Sequence, residues 1–283
     1  IITRLQMKTT FKPLGIAAAV AAATAGYAGI ANAQSTAVLA DNSGLGDLAI
    51  VPYYTTNDGF STGVSIINTS AYTQVVKMRM RRAPDSMDAL DFNVILSPDD
   101  VYTGYLQQEE SGEIRWYSND NSCTAPQYSV PGLGDTPSYF IMPDIYREGA
   151  EEGYIEVIGM AAADESQPIY TSSLHGSDTP FDCERVRDNF FPGASPSDYG
   201  TAANMSRKGV IDSDTTHQLT AAGSTSVVPN SYMDTGNVLK VSYFIKNDIT
   251  GLEFGNDATH IADFMAGASM TNQKFGLFEG DLQ

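Results

Sequence analysis

The residues that could do chemistry are plentiful in one class and scattered in the others. The chain has 283 residues, with 34 acidic and only 16 basic side chains. Its three histidines, His175, His217 and His260, lie far apart, and none has a second His or Cys at metal-ligand spacing. Gly193-Ala194-Ser195-Pro196-Ser197 departs from the G-x-S-x-G nucleophile pattern at its closing position, and no P-loop or post-strand G-x-G-x-x-G occurs. The sequence therefore nominates no catalytic residue. Carboxylates remain. Asp212-x-Asp214, Asp99-Asp100 and the run from Asp178 to Asp188 could offer oxygens to Ca²⁺, which takes about 6–8 of them. None follows the EF-hand spacing, and solvated acidic loops are the simpler reading. Asp212 and Asp214 are kept as weak calcium candidates, and no other cofactor is implied. Paired carboxylates beside aromatic rings could also serve sugar chemistry. Tyr53-Tyr54, Tyr102, Tyr105, Trp116 and Tyr117 are the rings available, with Tyr53, Tyr54, Trp116 and Tyr117 the candidate ligand platform. In a β-sheet protein such rings more often pack the core or neighbouring strands.

One basic stripe interrupts the acidic chain, VVKMRMRR at 75–82. Val76, Met78 and Met80 alternate with Lys77, Arg79 and Arg81, the period of a half-buried strand. The cations are expected on the solvated face, offset by Asp85, Asp88 and Asp91 in the next segment. A polyanion grip would need interleaved aromatics or a broader basic surface. The net charge of −18 likewise repels nucleic acid and anionic lipid.

The elements that must position these groups read as short strands. DLAIVPYYTT enters an Asn57-Asp58-Gly59 turn, and GVSIINTS, TQVVKMRMRR, ALDFNVILSP, VYTGYLQQ and GEIRWYS follow. EEGYIEVIGM and NVLKVSYFIKND resume the pattern, the latter with Leu239, Val241, Tyr243 and Ile245 on one side and Lys240, Ser242 and Lys246 on the other. Spaced strands joined by polar turns predict an all-β, antiparallel β-sandwich, immunoglobulin-like or jelly-roll-like. Residues 119–150 look loop-like, 161–232 looks like a loop-rich insertion in one domain spanning 34–283, and a helical turn is expected near Ile261 to Ala266.

The start of the chain carries an address. Lys8 and Lys12 precede an alanine-rich apolar run, and Ala31-Asn32-Ala33 supplies the small-x-small site read by signal peptidase before Gln34. Loss of residues 1–33, with Arg4, Lys8 and Lys12, would move the formal charge from −18 to about −21. No later stretch is long and apolar enough to be a transmembrane helix. Release of the protein and continuation of the chain past Gln283 both stay open. In an exported chain, Cys123 and Cys183 are expected to form a disulfide.

GDLAIVPYYTTNDGFSTGVSIINTS, ALDFNVILSPDDVYTGYL, GYIEVIGM and NVLKVSYFIKNDITGLEFGNDATHIADF together resemble a group of uncharacterised exported bacterial cell-surface proteins. That resemblance implies secretion to the periplasm or the outer-membrane exterior and a β-rich surface domain, and it transfers no site. The expectation is a non-enzymatic, secreted or cell-surface protein of structural or adhesion type, with cell-surface or matrix components, or itself, as partner. The alternative is an exported carbohydrate-binding module or glycoside hydrolase using Tyr/Trp and carboxylate side chains.

Overall fold

The computed structural model describes residues 38–39, 44–133, 136–176, 180–187, 190, 216–220, 227–264 and 267–268. The expected leader at 1–33 and the calcium candidates Asp212 and Asp214 lie outside the described residues. The strands are β1 (Val38–Leu39), β2 (Leu48–Thr55), β3 (Phe60–Asn68), β4 (Thr73–Arg82), β5 (Asp88–Leu96), β6 (Val101–Gln108), β7 (Ile114–Ser118) and β8 (Cys123–Ala125). They continue with β9 (Ser138–Ile141), β10 (Glu152–Ala163), β11 (Thr216–Thr220), β12 (Val227–Ser231), β13 (Leu239–Asn247), β14 (Leu252–Asp257) and β15 (Thr259–Ala262). Three short helices intervene: α1 (Asp144–Arg147), α2 (Pro168–Ser173) and α3 (Cys183–Arg187).

Two antiparallel sheets pack into a sandwich, as the alternation predicts. One has the order β1-β15-β2-β10-β4-β5-β8 and the other β14-β13-β3-β6-β7-β9, with β11–β12 a separate hairpin. Alternate side chains from both inner faces make the main core. Val76, Met78 and Met80 of β4 and Phe92 and Val94 of β5 meet Val64 and Ile66 of β3, Tyr102 and Leu106 of β6 and Trp116 of β7. The turn between β2 and β3 is a single 3₁₀ turn, Asn57–Gly59, in which Asp58 and Gly59 both take positive φ (54° and 78°). Asp and Gly are residues that tolerate this backbone, and they carry the chain from β2 in one sheet to β3 in the other.

Three expectations need correction. The cations of β4 are not solvated. Lys77 is 1% exposed and pairs with Asp91, itself 2% exposed, at 3.1 Å. Arg79 reaches Asp88 at 2.6 Å, and Arg81 reaches Glu156 of β10 at 2.9 Å and Asp88 at 3.0 Å. The expected pairing with Asp88 and Asp91 is there, but the face is inside. β4 is a central strand, flanked by β10 and β5. A second apolar cluster covers the same outer side: Val75 and Ile95 pack with Met160, Ala161, Ile169 of α2, Val186 of α3 and Tyr232. Arg82 bonds Asp85 in the turn after β4, where the carboxylate is exposed. Next, the stretch 119–150 holds β8, β9 and α1 rather than plain loop. Finally, Ile261 lies in strand β15 paired with β2, not in a helical turn.

The Cys123–Cys183 disulfide forms as expected. It ties β8, the last strand of the seven-stranded sheet, to α3, and so holds that helix against the apolar cluster around Val75 and Ile95.

Candidate functional site

The platform rings are sorted by strand parity. Tyr54, Tyr102 and Trp116 point inward and are fully buried. Tyr54 donates its hydroxyl to the Ala150 carbonyl at 3.0 Å. The Trp116 indole N–H donates to the Tyr102 hydroxyl at 2.9 Å, which is 3.0 Å from the Tyr128 hydroxyl. Trp116 can lie inward because β6 offers Gly104 beneath it: a Cβ there would stand 2.5 Å from the indole ring. Tyr54 and Trp116 are therefore core residues and no ligand platform. Tyr53 is exposed, but it sits on β2 of the seven-stranded sheet, away from the other candidates.

Tyr117 has the opposite parity and belongs to a row on the outer face of the six-stranded sheet. The ladder registers run Gly255–Phe244–Gly63–Tyr105–Tyr117–Tyr139 straight across β14, β13, β3, β6, β7 and β9. Tyr105 and Tyr117 stack with centroids 5.2 Å apart and an interplanar angle of 21°, and Tyr139 follows at 5.2 Å. Phe244 lies over Gly63, whose missing side chain makes the space. A Cβ on Gly63 would stand 2.1 Å from the Phe244 ring, which keeps 37% exposure.

The adjacent row is polar: Glu253, Lys246, Ser61, Gln107 and Arg115, ending at Ile141. Arg115 sets the rings. Its guanidinium carbon stands 4.6 Å from the Tyr139 centroid, a cation–π contact. It bonds the Glu113 carboxylate, lies 3.7 Å from Glu109, and donates to the Tyr117 hydroxyl at 3.1 Å. Tyr117 in turn donates to Glu109 at 2.6 Å. Burial first, then the Glu109 carboxylate, pushes the Tyr117 phenol up to about 12, and the same two causes raise Tyr105. Both phenols therefore stay protonated donors at ordinary pH. The hydroxyls of Tyr105 and Tyr139 have no bonded partner among the described residues and face outward.

A second polar group lies elsewhere. Ser97, Asp100 and His175 come together, with Ser97 Oγ 3.2 Å from His175 Nδ1 and donating to Asp100 Oδ2 at 3.1 Å. Asp100 Oδ2 is 3.9 Å from the same Nδ1. A proton relay needs the hydroxyl and the carboxylate on opposite ring nitrogens. Here both meet one nitrogen, so the trio braces the loop after β5. Nearby, burial first, reinforced by the Asp100 carboxylate, outweighs the hydrogen bonds from Ser122 and Thr103 and leaves the Asp120 carboxyl raised. No group of three or more His, Cys, Asp or Glu side chains that could hold a metal occurs among the described residues. His260 is structural: its Nε2 accepts the Val241 N–H at 2.8 Å.

The site residues that sequence reasoning passed over are Phe244, Tyr139, Arg115 and Glu109. Phe244 had a signal: it is the one aromatic on the Lys240–Ser242–Lys246 side of β13. Tyr139 had none, because β9 is only four residues long. The chain matches no protein-family model, no curated protein and no solved structure. No helix among the described residues is long and apolar enough to cross a membrane.

Proposed function

We propose that this is a non-enzymatic, secreted or cell-surface protein of adhesion type that grips neutral polysaccharide of a cell surface or matrix through the outer face of its six-stranded sheet. The observation that carries the reading is the row Phe244, Tyr105, Tyr117 and Tyr139, continuous across five strands and set beside a polar row. Pyranose rings have apolar C–H faces and hydroxyl rims. A sugar lying on Phe244 and the tyrosine row would place its hydroxyls over Ser61, Gln107 and the open Tyr105 and Tyr139 phenols. Neutral glycan is favoured over an acidic one because Arg115 is committed to Glu109 and Glu113, Lys240 to Asp257 and Lys246 to Asp248. The cations of this face are already spent on its own carboxylates.

Glu109 and Glu113 stand beside the rings, as a glycoside hydrolase would require. Both are engaged on Arg115, however, which suits fixing the rings better than supplying an acid and a base. The alanine-rich leader and the disulfide, a bond that persists in oxidising compartments, support export.

The test is retention of the exported protein on insoluble neutral polysaccharides and a glycan array, with two variants. Tyr117→Ala opens the row. Gly63→Ala pushes the Phe244 ring, a flexible side-chain end, off its seat. Each is expected to weaken retention about tenfold, the loss of roughly 1.4 kcal/mol of stacking. Binding unchanged in both variants, or no glycan retained by the parent protein, would refute the reading.

A further inference from the structure

The four sheet edges are not treated alike. In the seven-stranded sheet the edge strands are β1, of two residues, and β8, of three, too short to template another strand. In the six-stranded sheet the β9 edge is occupied, since Val130 and Tyr139 exchange both backbone hydrogen bonds at 3.0 Å. The β14 edge has none of these protections. It runs six residues, all exposed, with Leu252 at 58% and Phe254 at 52%. Ala258 donates to the Val241 carbonyl just past the strand, so by antiparallel alternation Leu252, Phe254 and Asn256 bond β13. Glu253, Gly255 and Asp257 then turn their N–H and C=O groups to the open side. Asp257 N–H is met by the Asn256 side chain, and no described group bonds those of Glu253 or Gly255. Leu252 and Phe254 lie on the core-facing side of β14, opposite Asn247 and the buried Ile245, yet among the described residues both stay more than half exposed.

An occupant must therefore be extended, carry apolar groups at alternate positions on the core-facing side, and place no carboxylate opposite Glu253. β14 itself meets all three conditions. We infer that β14 pairs antiparallel with β14 of a second copy about a twofold axis through Phe254, joining two six-stranded sheets into one. Only registers that keep the inner sides together are allowed, because a one-residue slip turns every side chain over. Centring on Glu253 sets Glu253 against its own copy, and centring on Gly255 sets Glu253 against Asp257. Both oppose like charges. Centring on Phe254 sets Glu253 against Gly255 and Leu252 against Asn256, with the two phenyl rings in the close, non-hydrogen-bonded position. Of the remaining carboxylates, Asp257 is bonded by Lys240 of its own chain at 2.7 Å, and Glu253 faces the uncharged Gly255. The joined sheet would carry two aromatic rows on one continuous surface. This deepens the proposed adhesion, resting on it for purpose but not for its test.

The test is sedimentation of the intact, exported protein over a range of concentrations, without glycan. A seam of one strand is a small interface, and a Kd between about 10 μM and 1 mM is expected. Phe254→Lys is expected to abolish the dimer while leaving the melting temperature and glycan retention unchanged. Glu253→Pro, which removes an open N–H that β13 does not use, serves as an independent disruptor if the lysine variant folds poorly. Phe254→Cys should give a covalent dimer under oxidation, and Leu252→Cys should not, because it faces Asn256. A monomer at every concentration to about 1 mM, or a dimer that survives both disruptors, overturns the inference. So does a monomer whose β14 amides become protected only by some other extended peptide. Glycan retention lost with the dimer intact would instead fault the ligand face alone.

Discussion

Tyr102→Phe separates core from platform among the aromatic residues. The substitution keeps the ring and removes one oxygen at the centre of a buried chain, where Trp116 N–H donates to Tyr102 and the Tyr102 hydroxyl meets that of Tyr128. Without that oxygen the indole N–H is sealed in the core with no acceptor. Leaving a buried donor unsatisfied costs about 1–3 kcal/mol, and the lost contact with Tyr128 brings the expected total to roughly 2–3 kcal/mol. For a domain of this size that lowers the melting temperature by about 4–10 °C. Tyr128→Phe should cost only about 1 kcal/mol, because the Tyr102 hydroxyl still receives the indole proton. The double variant should cost less than the sum, since the two hydroxyls share one bond. Urea unfolding followed by the fluorescence of Trp116, the sole tryptophan, measures all three. Glycan retention should be unaffected in each. A Tyr102→Phe protein within about 0.5 kcal/mol of the parent, or one that folds normally but no longer binds, would refute the assignment of these rings to the core.

Three further outcomes follow from the geometry. Lys77→Met should destabilise by about 3–5 kcal/mol in chemical denaturation, because it breaks a pair buried on both sides, whereas Arg82→Met at the exposed turn should change little. Replacing Cys123 and Cys183 by Ser releases a link across 60 residues and should lower stability by up to about 4 kcal/mol, read as the difference between oxidised parent and variant. Burial, and then Lys240, depress the His260 pKa below its usual 6.5. Both folded and unfolded chains are neutral there above that value. As pH falls through 6.5 the unfolded chain takes the proton first, so stability declines toward acid. His260→Gln, which does not titrate, should flatten that decline in melting curves taken from pH 7.5 to 5.

The sandwich was legible because alternation survives through most of β4, β5 and β13, as in Val76, Met78 and Met80 against Lys77, Arg79 and Arg81. Which of two parities faces the core was harder. In Arg115-Trp116-Tyr117 both aromatics are credible inner residues, and the choice is made by Gly104 on the neighbouring strand, which alone leaves room for an indole. The same limit explains the cations. Lys77 and Arg79 occupy the polar side of their strand, as the pattern said, but burial depends on what covers that side, and α2, α3 and Tyr232 come from far along the chain. Local periodicity carries no record of such a cover. The aromatic row was partly visible, since Tyr105 and Tyr117 were singled out and Phe244 broke the polar side of β13. Its assembly into one line depends on the registers of six strands, which no single segment encodes.

The central claim is that the outer face of the six-stranded sheet is the working surface. Hydroxyl-radical footprinting, with the protein free and then bound to insoluble neutral polysaccharide, tests it directly. Oxidation of Phe244, Tyr105 and Tyr139 should fall sharply on binding while Tyr53, on the opposite sheet, is unchanged. Protection of Tyr53 with those three rings still freely oxidised would contradict it.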